Sequence, residues 1–217
     1  MPVPTLARPA RARTRDADRA PAPVRPPAAS TWRVGAPRGR PVWCDAAVTA
    51  FDDLLAANEV HARTYADGGL TGRAARGLGL VMCMDSRIEP LRMLGLEPGD
   101  AKILRNAGAR VTGDVLRTLV LAVHLLEVTR VLVVAHTDCR MAKNTDEDVH
   151  RVMAGRGLDT RSLHFRTVPD QREGLRHDVQ RVRSSPYLPD DLPVAGALYD
   201  LSTGRLEVVV GEDEPTA

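Results

Sequence analysis

Five consecutive residues, Val131-Leu132-Val133-Val134-Ala135, are apolar on both faces of an extended chain, and three of them are β-branched. A strand with no polar side belongs inside a sheet covered on both faces, which is the habit of parallel sheets flanked by helices. A second run of the same kind, Leu78-Gly79-Leu80-Val81-Met82, reads as another buried strand, and Ala101 to Leu104 as a third. Between Leu104 and Val131, Asp114 to Glu127 places Val115, Leu116, Leu119, Val120, Ala122, Val123 and Leu126 on one helical stripe. Pro90 opens a short helix that Gly95 closes, and Glu97-Pro98-Gly99-Asp100 is a turn. Helices are expected around 146–154 and 173–184, followed by a hairpin of 194–200 and 205–210 through Ser202-Thr203-Gly204. Strands alternating with helices argue for an α/β fold with a mainly parallel sheet.

The N-terminal part has none of this periodicity. Residues 1–42 hold nine of the sixteen prolines, mixed with Ala and Arg, and this composition buries too little surface to offset the entropy of ordering. The chain is therefore expected to consist of a disordered tail, 1–42, and one folded domain, 43–217. Asp45 is placed to cap a first helix through Val48, Phe51, Leu54 and Leu55 toward Tyr65, ended by Gly68, Gly69 and Gly72. The tail carries nine Arg against two Asp, so the other 175 residues hold a net −5 within a total of +2. That balance argues against a basic nucleic-acid-binding fold, and 3% aromatics argue against a stacking platform. No apolar run approaches the ~20 residues that cross a bilayer, and the tail lacks the apolar core of a secretory signal. The protein is expected in the cytoplasm.

Two strand ends carry reactive residues. The Leu78–Met82 strand runs into Cys83-Met84-Asp85-Ser86-Arg87, and the Val131–Ala135 strand into His136-Thr137-Asp138-Cys139. Ligands of open parallel sheets bind at the carboxyl ends of the strands, so Cys83, His136 and Cys139 can converge although 53 positions separate the first two. Two thiolates and an imidazole suit Zn²⁺ and leave a fourth corner open, as a catalytic site requires. The same residues also permit two small buried hydrophobes, or a Cys83–Cys139 disulfide that a reducing compartment disfavours. A phosphatase-type loop is excluded, since only three residues separate Cys83 from Arg87 where five are needed.

Together with Arg105-Asn106-Ala107-Gly108 between them, these two motifs resemble the β-class carbonic anhydrases, over about residues 45–210, and most closely the compact actinobacterial type. The resemblance implies a four-stranded parallel core with a fifth edge strand, assembled as a homodimer or a higher even oligomer. It implies Zn²⁺ held by Cys83, His136 and Cys139, and reversible hydration of CO₂ to bicarbonate by zinc-bound hydroxide. It casts Asp85 and Arg87 as the catalytic pair, with Asp85 a metal ligand only in a closed form of the site, and Asn106 and Gly108 as the substrate edge. There are departures: Arg140 stands where Gly is common, and Ala109 where a second Gly is frequent. The Trp of members with an inhibitory bicarbonate site is replaced by Leu80 and Val81.

Two thiolates cancel the formal charge of the metal, which makes a second acceptor valuable. Asp85 is close enough to accept a hydrogen bond from the reacting water, and Arg87 can hold that carboxylate by a bidentate pair. Cys139 is expected near a helix start, where backbone N–H groups favour a thiolate. Asp138 is expected to face away and brace the loop. His150, His164 and His177 are candidate proton shuttles; His124 is a core or surface residue, and Cys44 a free thiol. Two other readings keep the metal site: a hydrolase of carbonyl sulfide or carbon disulfide, or a catalytically silent zinc protein acting through partners.

Overall fold

The structure, a computed structural model, describes residues 50–212. The chain divides into two units, 1–57 and 58–217. Of the first, only 50–57 are described: they enter helix α1 (Asp52–Ala62), all of whose residues are exposed. Asp45, Val48, Cys44 and the expected boundary at 42/43 lie outside the described residues. The second unit contains β1 (Leu78–Cys83), α2 (Pro90–Leu94), β2 (Ala101–Asn106), α3 (Gly113–Leu125), β3 (Arg130–His136), α4 (Asp146–Ala154), α5 (Gln171–Arg183), β4 (Val194–Asp200) and β5 (Arg205–Val210).

The sheet order is β2-β1-β3-β4-β5. The first four strands are parallel and β5 is antiparallel to β4, which is the expected parallel core with an edge strand. Every residue of β1 is buried. Its alternate side chains feed two cores, as a strand sandwiched between helix layers requires. Val81, with Val131, Val133 and Ala135, packs against Val115, Leu119 and Ala122 of α3 and Leu175, Val179 and Val182 of α5. Leu78, Leu80, Met82 and Val134 pack on the other face against Ile88 and Leu96. Gly79 fits this stack closely: a Cβ there would sit 3.1 Å from Val128 Cγ1, so that methyl would have to give way.

Side-chain caps set the helix starts. Thr112 accepts from Val115 N at the head of α3, and Thr145 and Asp148 form a reciprocal capping box on α4. Helix α5 begins at Gln171, two residues before the sequence expectation, because Asp170 accepts from both Arg172 N and Glu173 N. The strands run further than their apolar runs. Cys83 pairs with Asn106, and His136 with Tyr199, so the reactive residues belong to the ladder itself.

This order makes a crevice. From β1 the chain moves through α2 to β2 on one side. It then returns over β1 through α3 to β3, and moves on to β4 on the other side. The connections diverge between β1 and β3, the point at which α/β sheets place ligands. Leu119 is fully buried beneath α3. Leu119→Ala should lower unfolding free energy by about 2–5 kcal/mol through the cavity it leaves, measured by urea denaturation followed by circular dichroism; a loss below that range would mean that the core collapses around the gap.

Candidate metal centre

Parallel pairing of β1 and β3 brings Cys83 and His136 to the same edge, and the turn after β3 returns Cys139 beside them. One ligand atom from each of the three lies within 4.8 Å of the others, and all three residues are buried. The two sulfurs are 4.0 Å apart. That is far beyond the ~2.05 Å of a disulfide, and both cysteines are free. It is close to the ~3.8 Å that two sulfurs span across a tetrahedral Zn²⁺ with bonds of about 2.3 Å.

His136 supplies the strongest test of fit. Its Nδ1 donates to the Thr137 carbonyl at 2.8 Å, which leaves Nε2 as the nitrogen with a free lone pair. Nε2 is buried and has no hydrogen-bond partner. A buried imidazole nitrogen without a partner is costly, and a metal cation between it and the two sulfurs removes that cost. Burial works against a proton on this ring, but the Cys83 sulfur and the Thr137 carbonyl outweigh it and push the pKa upward. Surroundings that favour a proton on Nε2 favour a metal cation there as well.

The sulfurs are prepared for the same role. Cys83 is pulled well below the usual thiol range, chiefly by its hydrogen bond to Cys139 and against burial, with His136 and the amides of Gly108 and Asp85 adding to the effect. Cys139 is pushed up because Cys83 and burial oppose a second negative charge, while the amides of Met141 and Ala142 favour its ionised form. Those amides belong to the short 3₁₀ turn Arg140–Ala142 that Cys139 caps, the helix start anticipated for it.

Asp85 and Arg87 form the bidentate pair. Arg87 Nε donates to Asp85 Oδ1 at 2.9 Å and Nη2 to Oδ2 at 2.7 Å, with the Arg87 amide adding 3.0 Å to Oδ1. The guanidinium holds this carboxyl far below its ordinary pKa. Asp85 Oδ2 stands 3.8 Å from His136 Nε2, yet Asp85 is not part of the three-residue cluster. The carboxylate thus lies beside the centre while held by Arg87. Arg105 fixes the same loop through backbone carbonyls, with Nε donating to Cys83 O at 2.9 Å and Nη2 to Asp85 O at 2.6 Å.

Asn106 exchanges side-chain bonds with the backbone of Arg110, at 2.7 and 2.8 Å, so its amide is spent on closing the turn. Gly108 has φ +79°, and a Cβ there would meet Met141 Cβ at 3.1 Å. Ala109, where a second Gly is frequent in the family, has φ +59°; a left-handed residue other than Gly costs roughly 1–2 kcal/mol, which accounts for the preference. The turn is tied to α5 by a buried pair, Arg110 Nε donating to Asp178 Oδ2 at 2.6 Å. Asp178 escaped the sequence reading although it breaks the apolar stripe Leu175, Val179, Val182. Asp138 does brace the loop, but through Arg87 and Lys143.

Arg140 is exposed, and its backbone carbonyl accepts from Asn144 Nδ2 at 3.0 Å. His124, His150, His164 and His177 are not part of the cluster. His150 Nδ1 bonds Thr160 Oγ1 at 2.8 Å, His124 Nε2 donates to Tyr187 O at 2.9 Å, and exposed His177 lies 3.6 Å from Asp178.

Comparison with known proteins gives a consistent result. A family model described as carbonic anhydrase matches residues 79–206. Beta-carbonic anhydrase 1 of Mycobacterium tuberculosis is 33% identical over 162 residues, which is 75% of this chain and 99% of the relative. A crystal structure of carbonic anhydrase from Streptococcus mutans superposes with a TM-score of 0.69 at 35% identity, covering 73% of this chain and 96% of that one. The carbon disulfide hydrolase of Acidianus sp. is 30% identical over 155 residues, 60% of this chain and 76% of the relative.

The Arg110–Asp178 pair yields a test. With 13% and 4% of their side chains exposed, removing one partner strands a buried charge at a cost of about 3–5 kcal/mol. Asp178→Ala should show that loss in urea denaturation. Arg110→Met with Asp178→Leu should recover most of it, and a double variant no more stable than the single one would show that the pair is not the source.

Proposed function

Because this chain belongs to the β-class carbonic anhydrase family, we propose that it catalyses reversible hydration of CO₂ to bicarbonate and a proton at a zinc centre formed by Cys83, His136 and Cys139. The observation that carries this reading is the Asp85–Arg87 pair seated beside a buried cluster of two sulfurs and an orphaned imidazole nitrogen. Zn²⁺ held there supplies a Lewis acid that brings the ionisation of water toward neutral pH.

The remaining work falls to the protein. Cys83, His136 and Cys139 would hold the metal, and the reacting water would stand beside them. Asp85, kept ionised by Arg87, can only accept a hydrogen bond. It therefore takes the water O–H and turns an oxygen lone pair toward the substrate. CO₂ carries no charge and no donor, so its site needs space and a close backbone rather than a counter-ion. Asn106 and Gly108 contribute to that edge through the tight turn they make. Were Arg87 to release it, Asp85 would be placed to help hold the metal, which is the closed form of the site. The active species is proposed to be a homodimer or a higher even oligomer. No described helix is long and apolar enough to cross a membrane.

A second reading is favoured by one observation, the 30% identity to a carbon disulfide hydrolase. Carbon disulfide and carbonyl sulfide are linear heterocumulenes that need the same activated water, so passage to the centre separates the two activities.

In Asp85→Asn, zinc content should stay at one per chain while CO₂ hydration falls at least ~10²-fold, the scale of a positioned acid–base group; Cys139→Ser should lose the zinc. The rate of the parent should rise with pH through the neutral-to-alkaline range, and because Arg87 keeps Asp85 ionised there, that rise cannot be its titration. Near-parental rates in Asp85→Asn at full zinc loading would remove its assigned role. Faster turnover of carbon disulfide than of CO₂ by the parent would favour the second reading. We place the zinc-binding domain at 43–217, within which the family model matches residues 79–206. Deleting residues 1–42 should leave zinc content, Tm and hydration rate nearly unchanged, and a Tm lower by several degrees would show that the segment is docked.

A further inference from the structure

Arg87 has two acidic partners on two different strand ends. Its Nε and Nη2 hold Asp85 in the loop after β1, while Nη1 donates to Asp138 Oδ2 at 2.7 Å and Nη2 also to the Asp138 carbonyl at 3.3 Å. Asp138 belongs to the turn between His136 and Cys139. Its other oxygen accepts from Lys143, one of only two lysines in the chain, so the anchor is itself anchored.

Asp138 also has φ +58°, a left-handed conformation that residues other than Gly adopt at a cost. Stability is a poor account of that cost, because the Arg87 and Asp138 side chains are 49% and 51% exposed and ion pairs this open add little to folding. Orientation is a better one. A guanidinium held at Nη1 cannot swing toward solvent, so its Nε–Nη2 edge keeps facing Asp85. Without that anchor Arg87 turns on a flexible stem, and the carboxylate it releases lies beside the open corner of the centre.

We propose that Asp138 is a positioning residue: it anchors Arg87 from the His136–Cys139 turn and thereby keeps the Asp85 carboxylate beside the metal centre rather than in its open corner. This rests on the reading that the Asp85–Arg87 pair serves a zinc centre.

Asp138→Asn keeps size and tolerates the left-handed backbone. Asp138→Gly removes the carboxylate and relieves the backbone, so a loss of activity there cannot come from strain. Both are compared with the zinc-loaded full chain after circular dichroism and zinc content are checked. In Asp138→Gly, kcat for CO₂ hydration should fall about tenfold or more, as for lost partners around a metal site. The Asn variant should fall in between, with KM changed less than about twofold, because Asp138 acts through Arg87. Independently of turnover, hydrogen exchange of Arg87 Nε–H, followed by ¹⁵N NMR, should be slow in the parent and at least about tenfold faster in Asp138→Gly. Unchanged exchange at Arg87 in both variants overturns the proposal, whatever the rates. Faster exchange with a parental kcat overturns it too. If the parent does not hydrate CO₂, the reaction assigned above fails, while the exchange measurement still decides whether Asp138 holds Arg87.

Discussion

Side-by-side parallel pairing of β1 and β3 is the constraint from which the centre follows. Their registers match Leu78 with Arg130 through Met82 with Val134, so both strands reach the same edge at the same height. Cys83 is the next residue of one, and His136 lies two beyond the last pairing of the other. An antiparallel arrangement would send the two residues to opposite edges of the sheet. The pairing depends in turn on burial: Leu80, Val81, Val133 and Val134 are almost completely enclosed, and a slip by one residue would move each of them to the wrong core. The apolar content of two short strands thus sets the position of two metal-ligating atoms.

Around that edge the loops are held mainly by arginines bonded to backbone and carboxylate. Arg105 ties the carbonyls of Cys83 and Asp85, and Arg110 ties the Asn106 turn to Asp178. Arg87 joins the loop after β1 to the turn after β3. Each guanidinium has several donors in a fixed plane, so a single side chain spans two segments, which the point charge of a lysine does less well. The abundance of Arg in this chain reads as compositional bias, yet these three positions use the geometry of the group.

The sequence carried the strands, the α3 stripe and the three ligand candidates plainly, because each is a local pattern: an apolar run, a 3.6-residue period, a reactive residue at a strand end. It did not carry the partners. Asp178 is 68 positions from Arg110 and Asp138 is 51 from Arg87, and no local pattern links such pairs until the sheet brings them together. The part of Asp146 was hidden for the same reason, since it binds the amides of Phe165, Arg166 and Thr167 about twenty residues away. Asn106 was expected to shape a substrate edge mostly through backbone, and its side chain bonds the Arg110 backbone four residues on, a contact the motif itself does not spell out. Helix α5 began early for a local reason that an apolar pattern overlooks, a cap by Asp170 ahead of the first apolar residue.

Strain is distributed in keeping with this construction. Among the described residues, Ala109, Glu127, Asp138 and Arg166 are the non-glycines with left-handed backbone. Two of them adjoin the centre: Ala109 is buried with Cys83 and Cys139, and Asp138 precedes Cys139. Each lies where the chain must reverse within a few residues of a strand end and still turn backbone N–H groups inward. The amide of Gly108 favours the ionised Cys83 sulfur, and those of Met141 and Ala142, in the turn after Asp138, favour ionised Cys139. A relaxed, extended exit from β2 or β3 would carry these amides away from the sulfurs. The sulfurs would then lose the dipoles that favour their ionised form, and ionised sulfur is what a metal binds. The left-handed residues therefore belong to the same design as the buried strands: the strands bring the ligand atoms together, and the turns add amides that favour their ionised form.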